Sequence, residues 1–218
     1  VHPAGHSLAV DARGKLFTFA LWEGAVSQHG AADGVRYRHG QWLSDGATLV
    51  GVSDASGEER IEVFAAGQTR TLAWDIGRVL ALRAAPKGKR IAIANHRNEV
   101  LIGDLETGAL TVVDRSVAGR SEDLAWSPDG AWIGFFAEGQ LRKIPREGGA
   151  AQKICDAVEG RGGSWSPDGV IVFSQKQGVD GLSRVSAQGG TPAPAPAPVP
   201  APARPPRRTS ACGWRPRR

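Results

Sequence analysis

Ser127-Pro128-Asp129-Gly130-Ala131-Trp132-Ile133-Gly134-Phe135-Phe136 decides the fold, because its wording returns along the chain. In a Pro-Asp-Gly turn the proline presets φ, the aspartate bonds its own backbone, and the glycine takes the left-handed position. The β-branched and aromatic run behind it suits a strand. Related turns are Leu43-Ser44-Asp45-Gly46, Ala85-Pro86-Lys87-Gly88 and Ser166-Pro167-Asp168-Gly169, with a degenerate copy at His2-Pro3-Ala4-Gly5. Their terminal glycines, Gly5, Gly46, Gly88, Gly130 and Gly169, stand 41, 42, 42 and 39 residues apart. A period near 40 marks a radial repeat in which each copy is one small sheet.

The residues after each turn are equally regular. Apolar runs such as Thr48-Leu49-Val50-Gly51-Val52 and Arg90-Ile91-Ala92-Ile93-Ala94 lead into a polar loop. A second run comes next, such as Arg60-Ile61-Glu62-Val63-Phe64, and then a glycine-containing turn such as Ala66-Gly67 or Gly148-Gly149. The unit is therefore four antiparallel strands, A to D, and the chain is predicted to be an all-β propeller of about five blades. Trp42, Trp126 and Trp165 recur at the end of strand A, where the third unit has Ala84. A tryptophan repeated in one register serves either as a ligand-stacking platform or as packing between blades; the blade-packing role is the expectation.

In this register the first unit lacks strand A, and residues 6–11, 15–21 and 25–29 are its strands B, C and D. At the other end the chain runs into Thr191-Pro192-Ala193-Pro194-Ala195-Pro196 after the Gly189-Gly190 turn. Proline donates nothing to a ladder, so no strand D is expected there. Residues 191–218 are instead expected to form a disordered Pro/Ala/Arg-rich tail of polyproline-II type, leaving 1–190 as the propeller segment. Three strands, three full units and three strands predict an open arc, cut from a larger ring, that either is poorly soluble as a monomer or self-associates to complete the ring. The absence of methionine and the first residue Val1 agree with a partial chain.

The formal charge of +5 arises from 27 basic and 22 acidic residues. All six charged residues of 191–218 are arginines, so residues 1–190 carry 21 basic and 22 acidic groups. A near-neutral body has no electrostatic footprint for nucleic acid, and no specific nucleic-acid partner is expected. Cys155 and Cys212 form neither a disulfide framework nor a metal-ligand spacing. No apolar stretch of 18 residues is present, so no membrane span is expected.

The residues show no Gly-x-Ser-x-Gly elbow, no Gly-Lys-Ser/Thr cradle and no Cys-x-x-Cys. Neither a catalytic constellation nor a cofactor is expected. His2 and His6 are four apart, but Pro3 and Gly5 forbid the helix that would set both on one metal. Ser7, Ser121 and His96 make a triad only on paper. The loops are more informative. With strands alternating in direction, the B–C and D–A loops share one rim, which carries Asp54–Glu59, Asp75-Ile76-Gly77-Arg78, Asn95-His96-Arg97-Asn98-Glu99 and Arg115–Arg120. An innermost strand contains Arg36-Tyr37-Arg38-His39, two arginines around an aromatic, suited to a peptide carboxylate. Arg36, Arg38, His39, Arg78, His96 and Arg97 are the candidate peptide-binding residues.

Several stretches between residues 2 and 132 resemble the propeller region of bacterial tricorn proteases. They are Leu21-Trp22-Glu23-Gly24-Ala25-Val26, Gly34-Val35-Arg36-Tyr37-Arg38, Trp42-Leu43-Ser44-Asp45-Gly46, Asp75-Ile76-Gly77-Arg78, Ala94-Asn95-His96-Arg97-Asn98-Glu99-Val100 and Leu124-Ala125-Trp126-Ser127-Pro128-Asp129-Gly130. The resemblance implies a cytoplasmic, oligomeric peptidase whose propellers guide peptides toward a separate catalytic domain, here as a non-catalytic scaffold binding peptides or proteins. From about residue 137, Glu138–Ile144, Gly160–Trp165 and Gly189-Gly190-Thr191-Pro192 look like TolB-type propellers at the C-terminus of bacterial receptor serine/threonine kinases. That likeness implies a sensor or interaction role instead.

Overall fold

The computed structural model describes residues 1–115, 123–175 and 181–196. It is all-β, with five antiparallel sheets following one another along the chain. The first sheet comprises β1 (Ser7–Ala12), β2 (Lys15–Ala20) and β3 (Ser27–His29). The second comprises β4 (Tyr37–Trp42), β5 (Leu49–Ser53), β6 (Arg60–Ala65) and β7 (Gln68–Leu72). The third holds β8 (Val79–Ala84), β9 (Arg90–Asn95), β10 (Glu99–Asp104) and β11 (Leu110–Arg115). In the fourth are β12 (Leu124–Trp126), β13 (Trp132–Ala137), β14 (Gln140–Pro145) and β15 (Gln152–Asp156). The fifth contains β16 (Arg161–Trp165), β17 (Val170–Ser174), β18 (Leu182–Ser186) and β19 (Ala193–Pro194). Neighbouring sheets meet through their inner strands, β1 on β4, β4 on β8, β8 on β12 and β12 on β16, in an open propeller-like ring.

The repeated turns close each A–B corner. Gly5, Gly46, Gly130 and Gly169 donate back to His2, Leu43, Ser127 and Ser166 at 2.8–3.1 Å, with φ between 64° and 77°. Asp45 accepts from the Ala47 and Thr48 amides, and Asp129 accepts from Ala131. Adjacent corners are also tied to one another. The His2 ring bonds the Gly46 carbonyl at 2.8 Å, and the Ser44 hydroxyl donates to the Gly88 carbonyl at 2.9 Å. His2 thus reaches the next blade, while its ring lies 4.0 Å from that of His6.

Four apolar clusters occupy the four seams between sheets. Leu16 meets Tyr37, Leu49 and Phe64 at the first seam, and Val50, Val52, Ile61 and Val63 meet Ile91, Ile93 and Leu101 at the second. Ala92 and Ala94 face Trp126, Ile133 and Phe135 at the third, and Leu141 and Ile154 face Ile171, Phe173 and Val185 at the fourth. Successive residues of a strand point to opposite faces. β9 therefore offers isoleucines to one neighbour and alanines to the other, which is why its sequence is apolar without interruption. The outermost sheets have one covered face only: Val10 on β1 is 37% exposed and Leu182 on β18 is 54% exposed.

The end of the fifth sheet differs from expectation. β19 pairs antiparallel with β18, Arg184 opposite Ala193 and Ser183 opposite Pro194, and the Ala195 amide donates to the Leu182 carbonyl at 2.7 Å. The argument that proline excludes a strand D fails because the prolines alternate. Ala193 and Ala195 direct their amides to β18, while Pro192, Pro194 and Pro196 place their missing donors on the open side of an edge strand, where none is needed. Residues 197–218, the rest of the expected tail, lie outside the described residues, as does Cys212. Cys155 is buried at the fourth seam, and burial raises its thiol pKa.

The three tryptophans at the end of strand A lie against neighbouring sheets, but their indoles are satisfied differently. Trp126 donates through Nε1 to the Arg83 carbonyl of β8 at 3.0 Å. Trp165 lies over Gly134, where a Cβ would come within 3.6 Å of its ring. The buried Nε1 of Trp42 has no acceptor among the described residues. The equivalent acceptor would come from a strand A of the first sheet. Trp126→Phe should therefore destabilise the protein by about 1–3 kcal/mol, because it leaves the Arg83 carbonyl unpaired, whereas Trp42→Phe should cost less than ~1 kcal/mol. Equilibrium urea unfolding of the two variants checks this ordering.

Candidate functional site

The seam between the second and third sheets opens at the B–C and D–A rim into a cleft of about 440 Å³. This lies within the ~300–1,000 Å³ range of small-ligand sites. Three segments build it: the loop from Asp54 to Arg60, the link Asp75–Arg78, and His96 with Arg97 beyond β9; Arg36 closes one side. Four of the six expected binding residues, Arg36, Arg78, His96 and Arg97, line this one cleft.

Local hydrogen bonds hold the loops in place. The buried Asn95 side chain is the hub: its amide donates to the Ile76 carbonyl at 3.0 Å and to Glu99 Oε2 at 2.8 Å. Its carbonyl accepts from the Arg97 and Glu99 amides. Burial acts to raise the Glu99 carboxyl, but the Asn95 amide and the Arg115 guanidinium at 3.1 Å outweigh it and hold its pKa below the usual range. The link turns at Gly77, whose φ of +58° favours glycine; a Cβ there would come within 3.0 Å of the His96 ring. That close approach seats the imidazole against the link, with Nδ1 accepting from the Arg78 amide at 2.9 Å. Its backbone amide donates to the Arg78 carbonyl, also at 2.9 Å.

Ion pairs border the cleft. Arg97 grips Asp75 with two bonds of 2.8 and 2.9 Å, and this contact holds the Asp75 carboxyl below, and the Arg97 guanidinium above, their ordinary values. Arg36 approaches Asp54 at 3.5 Å, and Arg60 meets Glu58 at 3.0 Å. The exposed Arg78 guanidinium has no acidic partner among the described residues.

The expected grouping of Arg36, Tyr37, Arg38 and His39 is not brought together as a carboxylate clamp. Tyr37 is 1% exposed at the first seam, its hydroxyl accepting from the Ala31 amide and donating to Glu62 at 3.1 Å. Arg38 turns inward to pair with Glu59, which also accepts from the Val79 amide at 2.6 Å. His39 sits in a bulge where the β4–β5 register shifts, with φ +57°. Its Nε2 is buried without a partner. Strand alternation already sends Tyr37 and Arg38 to opposite faces, toward the first and second seams, and the bulge begins only after Arg38. Sequence reasoning also missed the acidic half of the cleft lining, Asp54, Glu58, Glu59 and Asp75, although the stretches containing these residues fall on the same rim. Of the paper triad, Ser121 lies outside the described residues, as does most of the Arg115–Arg120 loop. Among the described residues, no group of three or more His, Cys, Asp or Glu side chains is arranged to hold a metal ion, and no helix is long and apolar enough to cross a membrane.

Consecutive four-stranded sheets packed face to face around an open ring, with a loop-built cleft on one rim, define a β-propeller segment. Residues 1–160 match the family described as the tricorn protease second beta propeller domain, and the chain belongs to that family. The match runs past residue 132, where the tricorn-like motifs were expected to end, and takes in the third and fourth strands of the fourth sheet. Tricorn protease homolog 1 of Streptomyces coelicolor is 33% identical over 170 residues, 73% of this chain and 16% of that protein. A putative tricorn-like protease C-terminal subunit of Sulfurisphaera tokodaii is 31% identical over 128 residues, 59% of this chain and 15% of that protein. The chain thus spans about one-sixth of the length of these curated relatives. Among solved structures, the tricorn protease superposes with a TM-score of 0.66 at 18% identity, over 78% of this chain and 18% of that one. A putative TolB from Agrobacterium tumefaciens superposes with a TM-score of 0.69 at 19% identity, over 88% of this chain and 76% of that one. These two structural likenesses concern the fold.

His39 supplies a pH prediction. Burial, followed by the neighbouring Arg38 charge, lowers its pKa below the ordinary value near 6.5, and burial lowers that of His29 in the same way. The unfolded chain therefore binds these protons first, so stability present above about pH 6.5 falls as pH drops through the histidine range. His39→Asn tolerates the positive φ and carries no titrating ring. Its urea midpoint should fall less between pH 7.5 and 5.5 than that of the parent chain; an equal fall in both would contradict the assignment.

Proposed function

We propose that this propeller segment is a non-catalytic scaffold that binds peptides or extended protein segments at the rim cleft. Within a longer, cytoplasmic tricorn-type peptidase, it would guide such segments toward a catalytic domain. The observation that carries this reading is the cleft itself. Guanidinium groups, carboxylates and an exposed imidazole line one concave surface, and a peptide backbone with charged side chains is the ligand that uses all three. Membership in the tricorn propeller family supports the peptide over a small metabolite. Loop-built sites on a rigid sheet scaffold are the usual place for such recognition.

Titration with a panel of unstructured ten-residue peptides, followed by amide chemical shifts, tests it. The shifts should concentrate in residues 54–60, 75–78 and 95–98, and Arg97→Ala should weaken binding by about tenfold, or ~1.4 kcal/mol. Affinity should also fall between 50 and 300 mM salt, as expected for partly exposed charges. Shifts confined to the opposite rim, or no shifts with any peptide, would rule the reading out.

A further inference from the structure

We infer that the rim cleft accepts one carboxylate, on Arg78 with His96, and discriminates against phosphate. This inference rests on the peptide-binding reading above. The charge arrangement of the cleft carries it. Each acidic side chain lining the cleft meets an arginine: Asp54 with Arg36, Glu58 with Arg60, Asp75 with Arg97, and Glu59 with Arg38, which lies just behind the lining. Arg78 is the remaining guanidinium, exposed and without an acidic partner among the described residues. His96 adds a directed donor. Its Nδ1 accepts from the Arg78 amide at 2.9 Å, so a neutral ring carries its proton on Nε2, the other ring nitrogen of a residue that lines the cleft. One guanidinium fork and one N–H match the two oxygens of a carboxylate, which a fork binds in bidentate fashion.

The same arrangement sets the discrimination. A single negative charge balances the surplus cation. A phosphate monoester brings close to two charges near neutral pH. Its second charge would face Asp54, Glu58, Glu59 and Asp75, whose own cations are already engaged. A peptide can supply the single charge from its C-terminus or from an aspartate or glutamate side chain, and the chemistry at Arg78 is the same.

Calorimetric titration with four acetylated tetrapeptides separates the possibilities. The probes are tetra-alanine as the free acid, tetra-alanine as the amide, the amide carrying glutamate at position three, and the amide carrying phosphoserine there. At least one of the two carboxylate peptides should bind ten or more times tighter than the plain amide, and which one does so identifies the source of the carboxylate. Phosphoserine should bring no gain over glutamate. Arg78→Ala should abolish the preference for carboxylate, Arg78→Lys should keep part of it, and His96→Gln, which retains a donor, should keep more than His96→Ala. Because Arg78 is exposed, these variants are expected to fold, and the indole fluorescence of each would verify it. If all four peptides bind equally, the carboxylate site falls while the peptide-binding reading stands. Tighter binding of the phosphopeptide than of either carboxylate overturns the single-charge argument. If none of the four binds, both readings fall.

Discussion

Each sheet of this protein can bury its apolar faces only against another sheet, and the rest of the structure depends on that constraint. The four clusters of buried side chains each draw residues from two successive sheets. A three- or four-stranded sheet alone would leave Ile61, Ile91 or Phe173 in water, at roughly 1.5–3 kcal/mol for each large side chain. Stability in such an array is a sum of nearest-neighbour seams. The two outermost sheets, with one neighbour each, expose Val10 and Leu182 on their uncovered sides. Mid-strand glycines serve the same contacts. At Gly51 a Cβ would come within 3.1 Å of Leu16 from the first sheet, and at Gly103 within 2.3 Å of the Trp74 ring.

The cleft exists because the seam holds two sheets in fixed relation while their loops remain polar. Asn95 anchors both the link before β8 and the loop after β9. The residues of the cleft therefore move as part of the seam, and the Arg97–Asp75 pair spans it from the third sheet to the link. Exposed ion pairs of this kind add little to stability. Their greater effect is on the field within the cleft, where paired charges cancel and Arg78, which has no acidic partner among the described residues, is left over.

Much of the fold was legible because the evidence for it is periodic. Turn glycines at a near-constant spacing and apolar runs at fixed offsets located, by type and order, 18 of the 19 strands among the described residues. The exception, β19, shows the limit of a residue-level rule: proline is excluded from a ladder only where its nitrogen faces the partner. The candidate site was legible in part. The rim and three of its residues, Arg78, His96 and Arg97, could be read from the alternating direction of the strands, whereas Arg36 was expected on an innermost strand. The burial of the His39 ring nitrogen could not be read, since it lies in a two-residue bulge that shifts register without any marked sequence signal, and the pairing of Arg38 with Glu59 depends on a loop distant in sequence. Trp74 was missed for a related reason. It lies in a connection rather than a strand, and its place over Gly103, with Nε1 donating to the Gly108 carbonyl at 2.8 Å, depends on contacts distant in sequence.

The alternating prolines beside β18 have a wider consequence. A sheet edge normally invites addition of another strand, and an edge strand of repeating apolar units is an obvious template for growth into fibrils. β19 accepts the ladder of β18 on one side and presents, on the other, a row of ring carbons where amide protons would stand. The prolines at 192, 194 and 196 thereby leave this stretch of the outer edge of the fifth sheet without amide donors on its open side, so a further strand would find no complementary ladder along it.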